Sequence, residues 1–117
     1  RNQQEYLTMT YQVKLTNHAL AQLKEAVGYI SKVLLEPVVA RCWSDRIKKE
    51  ILTLDHMPLR YPLVDEDPWR TEGVRKMSVE NFIVYYWVNE ETTTVWITAI
   101  VYGRRDQISV LRNMPKE

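Results

Sequence analysis

The chain has little of what metal-dependent, disulfide-stapled or nucleotide-binding folds rely on. It holds one cysteine, three glycines and two histidines in 117 residues. With Cys42 alone, no intramolecular disulfide can form. Its neighbours Val38, Val39 and Trp43 predict a thiol in the core or half-buried. Gly28, Gly73 and Gly103 lie too far apart for a phosphate-cradling loop. His18 and His56 are isolated, so spacing assembles no metal-ligand cluster, and neither a metal nor a cofactor is expected. No Ser-His-Asp or Cys-His arrangement can be argued from spacing. No apolar run reaches the ~18–20 residues of a membrane span, so no membrane partner is expected. Residues 1–8 are polar and lack the apolar centre of a signal peptide. Sixteen Lys+Arg against 15 Asp+Glu leave a net charge of +1. Attraction to nucleic acid must then come from a local cluster rather than the whole molecule. Together these features predict a cytoplasmic, reducing setting.

What is present is a patterned globular chain, 45% hydrophobic and 26% charged. It divides into a polar stretch over 1–9, a single domain over 10–112 and a tail over 113–117. Met9 stands just before the first patterned segment, as a natural start would. Tyr11, Val13 and Leu15 alternate with polar residues, which predicts a short half-buried strand. Thr16 or Asn17 offers a helix N-cap. Leu20, Leu23, Val27, Ile30 and Leu34 then mark one apolar face of a helix over about 18–34, with Gly28 inside it as a point of close helix packing. Pro37 opens a second helix, whose stripe Val39, Trp43, Ile47, Ile51 and Leu54 runs to about residue 54. The short link between them predicts an antiparallel helical hairpin.

Residues 59–70 carry Pro62 and Pro68 among acidic side chains and read as a loop, with Tyr61, Leu63 and Trp69 as anchors. Three strands follow, over 74–79, 82–88 and 95–102, the last two rich in β-branched and aromatic residues. On the last strand, alternation puts Val95, Ile97, Ala99 and Val101 on one face and Trp96, Thr98, Ile100 and Tyr102 on the other. The order is strand, helix, helix, then a three-stranded antiparallel meander. This is an α+β fold with the helical hairpin on one sheet face and the opposite face uncovered.

One constellation carries candidate chemistry. Arg75 and Lys76 lie on the first strand of the meander, and Arg104 and Arg105 at the end of the last. If the meander gathers these cations at one sheet edge beside Tyr85, Tyr86 and Tyr102, they make a surface where cations hold phosphate and rings stack on bases. Ion pairing of Arg105 with Asp106 or Glu72 is the plainer reading of the same residues.

The runs Glu72-Gly73-Val74-Arg75-Lys76, Asn81-Phe82-Ile83-Val84-Tyr85-Tyr86, Val95-Trp96-Ile97 and Val101-Tyr102-Gly103-Arg104-Arg105-Asp106 follow one another in an order that resembles RelE/ParE toxins. The upstream strand and helices, including Tyr29-Ile30 and Tyr61-Pro62, are similar too. The resemblance spans roughly residues 10–111. It implies the toxin of a type II toxin–antitoxin pair, of the kind called plasmid stabilisation proteins, held inactive by a cognate antitoxin. A dimer or a hetero-oligomer with that antitoxin is compatible with it.

Two kinds of growth inhibition occur in the superfamily. ParE-like members act on DNA gyrase, whereas RelE-like members cut messenger RNA on the ribosome without a metal. The nuclease reading takes Arg75, Lys76, Arg105 and Tyr86 as catalytic candidates, with Arg104, Tyr85, Tyr102 and Asp106 as binding residues. RNA cleavage needs a general base, a general acid and cations for the phosphorane charge. The cations are here, but nuclease relatives carry an arginine where this chain has Ile83 and a tyrosine near Leu111. The start at Gly73-x-Arg75 and the strand end at Tyr85-Tyr86 look closer to ParE. Whether the chain is an enzyme stays open at this point, with the gyrase reading ahead.

Overall fold

The computed structural model describes residues 10–33, 35–103, 114, 115 and 117. Residues 1–9, 34, 104–113 and 116 lie outside the described residues. Strand β1 (Gln12–Leu15) leads into helix α1 (Asn17–Gly28), which continues as a π-helical turn over Tyr29–Val33. Helix α2 (Pro37–Leu52) ends in a 3₁₀ turn, Thr53–Asp55, and a second such turn spans Pro58–Arg60. Strands β2 (Arg75–Val79), β3 (Phe82–Asn89) and β4 (Thr94–Tyr102) complete the described elements. The architecture is the expected α+β arrangement.

Thr16 is the residue that starts α1. Its backbone is extended, and its Oγ1 accepts the Ala19 N–H at 3.1 Å, satisfying one of the orphan donors of the first turn. Its own N–H bonds the Ile97 carbonyl at 3.0 Å, so the cap also ties the helix start to β4. The turn between the helices places Leu35 at φ 54°. Pro37 occupies the first turn of α2, where a missing N–H costs nothing.

The sheet order is β1-β4-β3-β2. β2, β3 and β4 form the antiparallel meander, and β1 adds parallel to β4 at its far side. The helices cover one face and build the main core with Leu23, Ile30, Ile47, Ile51, Phe82 and Tyr86. The stripes differ from those that hydrophobicity alone predicts. On α1 the seam is Ala19, Leu23, Ala26 and Ile30, while Leu20 is exposed. The alanines face inward because α1 lies over β4, where small side chains permit a close approach. On α2, Ala40, Ile47 and Ile51 are buried and Trp43 is half-buried, while Val38, Val39 and Cys42 are exposed. The expected buried thiol is therefore corrected: Cys42 lies off the seam, on the solvent side of the helix.

The space around Gly28 also departs from expectation. A Cβ placed there meets nothing within 4 Å, so no close packing demands glycine. Gly28→Ala is expected to stabilise the fold by about 0.5–1 kcal/mol, through helix propensity and a less flexible unfolded chain. Thermal unfolding should show a rise of roughly 2–5 °C.

A β-bulge decides the faces of β4. Tyr85 pairs with Ala99 and Tyr86 with Ile97, leaving Thr98 as the extra residue. Strict alternation therefore fails at this point. Val95, Ile97 and Ile100 face the helices, while Ala99 and Val101 face the other side. The Thr98 hydroxyl, fully buried, donates to the Tyr85 carbonyl at 3.2 Å and lies 2.9 Å from the Met114 sulfur.

The face away from the helices is not bare. Val64, Val74, Tyr85, Ala99, Val101 and Met114 form a second buried cluster, with Trp69 and Ile83 against it. The segment 59–74 supplies this cover, and it also closes the outer edge of β2. Lys76 donates its N–H to the Pro62 carbonyl at 3.1 Å, Val64 donates to Val74 at 2.9 Å, and Leu63 bridges Arg75. Closing an edge this way removes a template for unwanted strand pairing.

Candidate functional site

The register separates residues that the sequence invited one to group. Arg75 and Lys76 begin β2, in register with Tyr86 and Tyr85. Tyr102 ends β4 opposite Phe82, whose partner on β2 is Val79. Four residues of strand, roughly 13 Å at about 3.3 Å each, and the width of β3 lie between Arg75 and the Tyr102 end. The structure therefore does not gather Arg75 and Lys76 beside Tyr102. Arg104, Arg105 and Asp106, together with Leu111, lie outside the described residues.

At the Arg75 end, the arginine side chain is committed locally. The Arg75 guanidinium donates to the carbonyls of Leu59 at 3.2 Å and Tyr61 at 2.6 Å. It thereby holds the start of the covering segment against β2. Arg60 does similar work one turn earlier, donating to the carbonyls of His56, Met57 and Thr53. Lys76 points to the opposite face from Arg75, beside Tyr85, and is half-exposed.

The two tyrosines are corrections to the sequence reading. Tyr86 is fully buried on the helix side, and its hydroxyl donates to the Pro58 carbonyl. Tyr85 is 1% exposed, inside the second cluster. Neither phenol reaches a surface where a substrate would lie. Burial pushes the Tyr86 phenol far above its ordinary value, opposed only in part by the nearby Arg75 and Arg60 guanidinium groups. Burial likewise raises Tyr85, with the Glu66 charge adding to it. The sign of the pH dependence follows. A phenol with a raised folded pKa contributes stability that is fully present below its unfolded value near 10 and is lost as pH climbs toward the folded value. Denaturant unfolding should thus show stability falling above about pH 10, and Tyr86→Phe should flatten that fall.

Tyr102 belongs to a different neighbourhood. Its ring meets Phe82 at 5.0 Å, Trp43 at 5.8 Å and Tyr29 at 6.5 Å, centroid to centroid. This aromatic cluster joins both helices to the end of the sheet. Beside it, a groove of about 310 Å³ runs between α1 and the end of β4.

The sequence reading missed three features here. Gln22 caps a backbone N–H of β4, with Oε1 accepting from Ile100 at 2.8 Å. Trp87 and Trp96 sit opposite each other on β3 and β4, and the Lys14 ammonium lies 5.7 Å from the Trp96 ring. Arg46 on α2 pairs with Glu80 in the β2–β3 turn. The Gln22–Ile100, Lys14–Trp96 and Arg46–Glu80 contacts link residues distant in sequence, so no local pattern announces them, whereas the tryptophans face each other across one hairpin. Among the described residues, no three His, Cys, Asp or Glu side chains come together as metal ligands would. No described helix is long and apolar enough to cross a membrane.

The architecture is similar to that of chains in solved toxin and toxin–antitoxin structures. The chain is similar to one from a chromosomal ParDE system of P. aeruginosa, with a TM-score of 0.68 and 21% identity, over 83% of this chain and 100% of that one. It is also similar to a chain of the RelBE2 toxin–antitoxin complex of Mycobacterium tuberculosis, with a TM-score of 0.57 and 20% identity, over 85% and 97%. A doubly substituted E. coli RelE in the free state gives 0.59 and 14%, over 89% and 93%. At these identities the likeness is one of fold. No curated protein matches the chain. The family model for the ParE toxin of the type II toxin–antitoxin system parDE matches residues 13–107, which takes in β1 from its second residue, both helices and the whole meander. The chain therefore belongs to the ParE toxin family of type II toxin–antitoxin systems.

Proposed function

We propose that this toxin arrests growth by gripping a protein target, DNA gyrase, and that a cognate antitoxin neutralises it. The observation that carries this reading is the commitment of the groups RNA cleavage would need. Tyr85 and Tyr86 are buried, the Arg75 guanidinium is spent on two carbonyls, and Lys76 faces the other side of the sheet. General acid–base catalysis requires groups within hydrogen-bond reach of a substrate, and burial of the two phenols argues against that role for them. A binding surface makes no such demand. Arg105 and Arg104 remain candidates for target contact, and Tyr102 stands at the end of β4.

The test is expression in cells without the antitoxin. Growth arrest with intact ribosome-bound transcripts and failing supercoiling is the expected result, and purified toxin should inhibit gyrase in a supercoiling assay. Cut transcripts, abolished together with arrest by Arg105→Ala, would establish the nuclease instead. Co-expression of the antitoxin should restore growth.

A further inference from the structure

Helix α2 carries a second stripe, opposite its seam. Ala40, Ile47 and Ile51 face the core, so steps of three and four residues on the other side align Val38, Cys42, Asp45, Lys49 and Leu52. All five are exposed. Val38 keeps 72% of its surface in solvent and Leu52 62%, and Leu35 in the turn before the helix keeps 79%. Single apolar residues scattered over a surface need no explanation, but these stand in line, with one acid and one base between them. Asp45 and Lys49 form no ion pair with any described residue, whereas the neighbouring Arg46 is held by Glu80.

We propose that this stripe pairs with the same stripe of a second copy of the chain, as two antiparallel α2 helices about a two-fold axis at the level of Ile47. A two-fold interface sets each residue of a pair against the other twice. With the axis at Ile47, Asp45 of each copy meets Lys49 of the other, which gives two ion pairs. Cys42 of each copy meets Leu52 of the other, which gives two apolar contacts.

Other arrangements of the same stripe are worse. Parallel helices set Asp45 against Asp45 and Lys49 against Lys49. An antiparallel axis at Asp45 matches Val38 to Leu52, but again opposes Asp45 to itself and leaves Cys42 beside a lysine. Like charges directly across an interface select against such registers. Arg41 and Lys48 flank the stripe and keep their charges in water at its rim. The 16 residues of α2 make a helix roughly 24 Å long. One helix pair of that length lies at the small end of specific interfaces, so the dimer forms at concentrations on the order of micromolar rather than nanomolar. The pairing is independent of the target proposed above.

Sedimentation of the purified toxin over a concentration series tests this. The parent should pass from monomer to dimer as concentration rises. Asp45→Lys changes an exposed position and leaves the core untouched, and it should weaken association by about tenfold or more, because each copy then sets a second cation against Lys49 of the other. Adding Lys49→Asp to Asp45→Lys should restore association, since the charges are exchanged and the pairs are kept. No effect of Asp45→Lys, or a loss that the double variant does not recover, would overturn the pairing. Leu52→Cys, oxidised with diamide, should give a disulfide-linked dimer that joins the introduced thiol to Cys42 of the second copy, and adding Cys42→Ser should abolish the cross-link. Cross-linking of the parent through Cys42 alone would overturn the register, because the two Cys42 residues stand about 15 Å apart along the paired helices. A parent that stays monomeric at every concentration would overturn the proposal, including one whose α2 stripe becomes covered only when antitoxin is added.

Discussion

Tyr86→Ala is expected to cost about 3–5 kcal/mol of folding stability, the usual range for removing a fully buried aromatic side chain. The ring fills the main core between the sheet and the segment around Pro58. Set against a total of roughly 5–15 kcal/mol for a domain, that loss leaves little margin. Urea or thermal denaturation reads it directly. Tyr86→Phe separates packing from chemistry. It keeps the ring, strands the Pro58 carbonyl, and should cost only about 1–3 kcal/mol. Cells expressing Tyr86→Phe should still stop growing, because the hydroxyl serves the fold. Arrest lost in a variant that remains folded would mean that the phenol acts on a target after all.

Arg75 comes second in expected effect. Arg75→Ala removes two charge-assisted bonds to the Leu59 and Tyr61 carbonyls and should cost about 2–3 kcal/mol. The damage should be local at first. The segment 59–74 covers the outer face through Val64 and Val74 and closes the β2 edge at Pro62. Limited proteolysis is therefore expected to cut this segment faster in Arg75→Ala than in the parent, before the rest of the domain unfolds. Both bonds leave one nitrogen, Nη1, so the planar fork is not required, and Arg75→Lys should recover part of the lost stability through the ammonium's several N–H donors. If Arg75→Ala leaves stability and proteolysis unchanged while abolishing arrest, the residue contacts the target and its bonds to the loop are incidental.

These two residues show where the sequence was readable and where it was not. Tyr86 lies in a run of aromatic and β-branched residues, and that run specifies a strand wherever it folds. The same run looks equally well like a stacking surface, because nothing within it says which face will be covered. The cover comes from Pro58, the helices and the segment 59–74, all remote from it in sequence. Arg75 likewise stands in a pattern that marks the family, yet its partners are backbone carbonyls, which every residue possesses and no motif records. Cys42 erred for a related reason. Apolar neighbours suggested burial, but on a helix the seam is chosen by what lies opposite, and Ala40 and Ile47 took it.

Local pattern was enough for the order strand, helix, helix and meander, for the turn positions and for the likeness to ParE toxins, since periodicity and turn chemistry act between residues close along the chain. Only the tertiary structure could place β1 parallel to β4, insert Thr98 as a bulge, bury the tyrosines and part Arg75 from Tyr102. Each of these depends on register between segments tens of residues apart, and a one-residue change of register moves every side chain beyond it to the opposite face. The same register ends the β1 pairing at Ile97, and past the Thr98 bulge the Ile100 N–H turns to Gln22 of α1.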